Sequence, residues 1–148
     1  MNLEEVTKPA LIVAPDGWVE GVYKPGDHAE WAVGATKRYS ELGLAVFSSD
    51  DRMWRLERFI IKDRPSLFQT IWSWITIGIP PMATVVVELR EEEGNATEIL
   101  LSALHLALSK DCDVLTQFSS KEEIIKALQG ATGVKDVIRR LQKTHTIQ

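Results

Sequence analysis

Pro65 to Val87 reads PSLFQTIWSWITIGIPPMATVVV, 23 residues without a charged side chain. Two periods compete in it. Ser66, Gln69, Ser73, Thr76 and Pro80 step by three and four, which leaves a narrow polar stripe on an otherwise apolar helix. Ile75, Ile77 and Ile79 instead alternate with Thr76 and Gly78, as in a strand. The longer pattern predicts a helix from Ser66 to Ile77, with Pro65 near its first turn. Pro80 and Pro81 lack amide donors and end it, and Val85 to Arg90 follows as a core strand. The helix is expected to be mostly buried.

A membrane span needs about 20 apolar residues, so length alone permits one. Six Ser, Thr or Gln residues interrupt this run, and the proline pair divides it into pieces of 15 and 6 residues. That content argues against a span.

Working outward, Ala10 to Val13 and Trp18 to Tyr23 are β-rich runs around Pro15-Asp16-Gly17, a turn in which Pro presets one dihedral and Gly permits positive φ. A hairpin is expected. Asp27-His28-Ala29-Glu30 has the form of a capping box and predicts a helix from Asp27 to Leu42, with Gly43 as its left-handed stop. Leu44 to Phe47 and Met53 to Ile61, joined by Ser48-Ser49-Asp50-Asp51-Arg52, predict a second hairpin.

Beyond the central stretch, Asn95-Ala96-Thr97-Glu98 again caps a helix. Its apolar positions, from Ile99 to Leu108, are wide enough to suggest cover on most sides. Asp113 to Phe118 is expected as a short strand. Ser119 or Ser120 caps a helix from Lys121 to Gln129, and a last helix runs from Val134 to Lys143, apolar on one face. These elements predict an α+β fold, a mixed or mostly antiparallel sheet with helices packed on it, in a single domain of 148 residues. A loose attachment of the C-terminal helix 134–143 would be compatible with that reading.

Net charge of −4 and a pI near 5.4 disfavour nucleic acid as a partner. Cys112 stands alone, so neither an internal disulfide nor a cysteine zinc site is available; with no leader-like N-terminus, the expected location is cytoplasmic. Glycine-rich phosphate loops, G-x-S-x-G and H-E-x-x-H are missing from the sequence, so no cofactor, metal or catalytic residue is assigned.

Two sets of residues remain as candidates. Five tryptophans exceed ordinary core needs, and Trp72 and Trp74 differ by about 200° on a helix, so a single core cannot take both unless it encloses the helix. Exposed Trp favours partner sites. Trp72, Trp74, Trp54 and Arg58 are therefore the expected partner-binding residues, with Arg58 counted on the strand face of Trp54, Leu56 and Ile60. The protein is read first as a non-enzymatic interaction protein, of the inhibitor or immunity type, or one that self-associates as a homodimer. The second reading is a small-ligand-binding domain or small enzyme with a pocket near His105 that includes Asp111 and Asp113. His105 has no second ligand at i+3 or i+4, and two carboxylates fall short of calcium's needs. Peripheral membrane attachment through Trp72 and Trp74 is the third.

Overall fold

A computed structural model describes residues 1–63, 67–76, 82–110 and 113–147. The chain runs β1 (Ala10–Val13), β2 (Val19–Val22), β3 (Glu30–Ala32), α1 (Val33–Leu42), β4 (Ala45–Ser48), β5 (Arg52–Asp63), α2 (Leu67–Thr76), β6 (Met82–Glu92), α3 (Ala96–Ser109), α4 (Asp113–Thr116), α5 (Lys121–Leu128) and α6 (Val134–Lys143). A 3-10 turn at Leu3–Glu5 precedes them. The six strands form one sheet in the order β2-β1-β4-β5-β6-β3, with every pair antiparallel. The fold is α+β, as the sequence predicts.

Both hairpins form around the expected turns. Ala14 N–H donates to Trp18 O at 2.8 Å while Gly17 takes φ 95°, and Asp51, at φ 62°, closes the second turn by donating its N–H to Ser48 O at 3.0 Å. Alternation then sorts the side chains into two cores. Leu11, Val13, Phe47 and Met53 meet α3, α5 and α6 on one face of the sheet. Ala10, Ile12, Val46, Trp54, Val85, Val87 and Leu89 meet Leu3, Trp31, Tyr39 and Leu44 on the other. Because β1 and β4 serve both cores, all eight of their residues are buried.

The sheet curls strongly. Laid flat, its five inter-strand intervals would hold the two edges about 24 Å apart. Yet Trp18, next to β2 at one edge, and Trp31, in β3 at the other, have ring centroids 5.6 Å apart. Register shifts between Leu56 and Arg58 and between Ile61 and Asp63 mark β-bulges in the long β5–β6 pair, which add local twist.

Four local expectations are corrected. The segment 27–32 is not helical: Asp27 accepts from the backbone N–H groups of Tyr23 and Lys24 at 2.9 and 3.1 Å, closing a turn, and Glu30–Ala32 pairs with β6. The carboxylate found nearer donors behind it than ahead of it. Asp113–Thr116 is a short helix instead of a strand, which carries Leu115 into the core beside α3. Leu106 on α3 is exposed, so that helix is covered on one side only. Finally, α6 buries Val134, Val137, Ile138 and Leu141 almost completely, and Asp51 accepts from Val134 N–H at 2.9 Å. A loosely attached helix would show neither feature.

Candidate interaction surface

The helix α2 forms where the polar stripe placed it, but its apolar side faces solvent. Leu67, Phe68, Ile71, Trp72 and Ile75 are 78, 75, 50, 58 and 75% exposed. At about 100° per residue these five occupy one arc of about 140°. Met82, at the start of β6, is also largely exposed. The expectation of a mostly buried helix is therefore overturned at these five positions. Apolarity alone predicts burial of α2, but the covered faces of the sheet are already filled by other elements.

Within this patch Phe68 and Trp72 are one turn apart and stack, with centroids 6.1 Å apart and an interplanar angle of 15°. No side chain of α2 is charged. The surface is thus apolar, partly aromatic and without a fixed charge. Among the described residues no helix is long and apolar enough to cross a membrane.

The other expected partner residues are dispersed. Trp54 is 4% exposed; its Nε1 donates to Ser48 Oγ at 3.3 Å and the Arg52 guanidinium lies 5.1 Å from its ring centroid. It is a core residue with no face to offer. Trp74 belongs to α2, but its side chain lies outside what is described. Arg58 is exposed and bonds Glu88 across the β5–β6 pair at 2.5 Å. The bulge at Glu57 moves it off the face of Trp54 and Leu56: register pairs Leu56 with Leu89 and Phe59 with Val87, so Phe59 and Ile61 continue that face while Arg58 and Ile60 take the opposite one. Parity counting along the strand missed this extra residue.

Arg52 and Arg55 are paired as well, with Glu91 at 2.7 Å and Glu92 at 2.9 Å. The hydrogen bond and charge of Glu91 push the Arg52 guanidinium further into its charged form, and Glu88 does the same for Arg58. Arg52, Arg55 and Arg58 are in this way neutralised across strands, which is how opposite charges stabilise a sheet face.

For the alternative site, His105 stands exposed on α3. Asp111 lies outside the described residues, and of Asp113 only the backbone position at the start of α4 is described. Among the described residues no three His, Cys, Asp or Glu side chains are placed to hold a metal.

A second feature, unanticipated from sequence, lies at the seam where the sheet edges meet. Trp18 stacks on Tyr39 at 5.4 Å and meets Trp31 edge-on. Trp31 is also edge-on to Tyr39 at 6.4 Å and is 5.1 Å from Phe59. Trp31 Nε1 donates to His28 O at 2.6 Å, and His28 Nε2 lies 3.2 Å from Gly21 O. These bonds tie β3 to the far edge. Tyr39 OH donates to Asp16 Oδ2 at 3.0 Å, beside Arg38. Burial raises the Asp16 carboxyl, but hydrogen bonds from Trp18 N–H, Tyr39 and Arg38 outweigh it and hold the group below its ordinary value. Burial, and then the bond to Asp16, push the Tyr39 phenol up.

Cavities flank the seam on both sides. One of about 370 Å³ is lined by Trp18, Trp31, Tyr39 and their neighbours; a wider one of about 910 Å³ lies between β2, the 24–28 turn and the C-terminal residues 145–147. The only sequence signal for the seam was the tryptophan surplus, which does not say which rings meet. No family model, curated protein or solved structure matches the chain.

Proposed function

We propose that this chain is a non-enzymatic interaction protein that docks α2 into an apolar, uncharged groove of another protein, acting by occupying that surface. One observation carries the reading: the apolar arc of α2 is turned to solvent. Five large side chains at two-thirds mean exposure present about 600 Å² of apolar surface. That is most of the roughly 800 Å² one partner contributes to an interface of standard size. Positions i, i+1, i+4, i+5 and i+8 are the spacing of a helix that anchors in a groove.

Chemistry separates this partner from a lipid surface. Interfacial helices combine an apolar face with Lys or Arg on the other, whereas α2 has neither in a chain of net charge −4. A partner without charge at the contact point fits α2 better than an anionic bilayer.

The experiment places a photo-crosslinking amino acid at Trp72 in the full chain and compares it with the same protein carrying Leu67→Ser, Phe68→Ser and Ile75→Ser. One discrete adduct with a second protein is expected, lost in the triple variant while the thermal midpoint is kept. A self-adduct that scales with concentration would make a second copy the occupant, and no adduct under native conditions would remove the reading.

A further inference from the structure

We draw no further inference here: the strongest candidate, the cavity of about 910 Å³ between β2, the 24–28 turn and residues 145–147, combines Lys24 with Glu20 and Asp27 along a β2 edge already held by His28 and Asp27, and nothing in the structure shows what would fill it.

Discussion

Phe68 and Trp72 stack ring on ring on the outer arc of α2, with most of both side chains in solvent. A pair so placed is pre-ordered for contact and contributes little to the core. Substituting Phe68→Ser or Ile75→Ser is therefore expected to change unfolding free energy by no more than about 0.5 kcal/mol, as for surface positions generally. Leu100→Ala, in the fully buried part of α3, should cost about 2–5 kcal/mol. Urea denaturation of the three variants makes the comparison. A loss of several kcal/mol in Phe68→Ser would place α2 inside the core.

The carboxylate of Asp51 caps α6 from 83 residues away, because the helix's own cap position, Gly133, has no side chain to do so. Asp51 also holds a left-handed backbone at the tip of the second hairpin. Asp51→Ala removes the cap, worth about 1 kcal/mol, and also removes the short polar side chain that eases a left-handed backbone. Asp51→Asn tolerates the backbone and keeps an acceptor, so it should lose less than half as much. Chemical denaturation distinguishes the two; equal losses would mean the cap carries no stability.

Asp16 gives the protein an acid-sensitive joint. Its folded carboxyl titrates below the unfolded value near 3.8, so its contribution to stability is fully present above that value. It disappears as pH falls through the lower folded pKa. Tyr39 has the opposite sign: its raised pKa contributes stability that is present below pH 10 and is lost as pH rises through the folded value. Asp16→Asn should flatten the acid limb of a stability profile between about pH 5 and pH 2 and reduce stability at pH 7. An unchanged acid limb would show that Asp16 is not differently bound in the folded state.

The pair of Arg58 and Glu88 makes a different expectation. Both termini of this bond are accessible, and solvent screens such pairs. Arg58→Ala and Glu88→Ala should each leave the thermal midpoint nearly unchanged, and any coupling in the double-mutant cycle should vanish at high salt. A coupling that persists in high salt would mean that the pair is covered in solution.

Much of this fold is written locally. Asp16-Gly17, Ser48 to Asp51, Asn95 and Ser120 are turn and cap residues that act on their own neighbours, so the hairpins and the starts of α3 and α5 follow from spacing. The failures come where distant chain decides. Glu30-Trp31-Ala32 is too short to announce a strand and exists because β6 offers it an edge. Asp27 imitates a helix cap until the preceding turn claims its oxygens. A single bulged residue at Glu57 reverses the face of Arg58. For the interaction surface, the amphipathic period of α2 is readable but its direction is not: apolar residues predict an arc, and only the filling of both cores elsewhere turns it outward. The seam cavity depends on the curl of six strands, for which no local sequence signal exists.

Acrylamide quenching of tryptophan emission in the free protein, with and without Trp72→Phe, tests most directly whether α2 turns its apolar arc to solvent. Trp31 and Trp54 are buried and Trp18 is partly so, which leaves Trp72 the most exposed of the described indoles. The account requires the readily quenched emission to fall sharply in Trp72→Phe. If the quenchable fraction is the same in both proteins, Trp72 is covered in the free chain and α2 is not a surface held open for a partner.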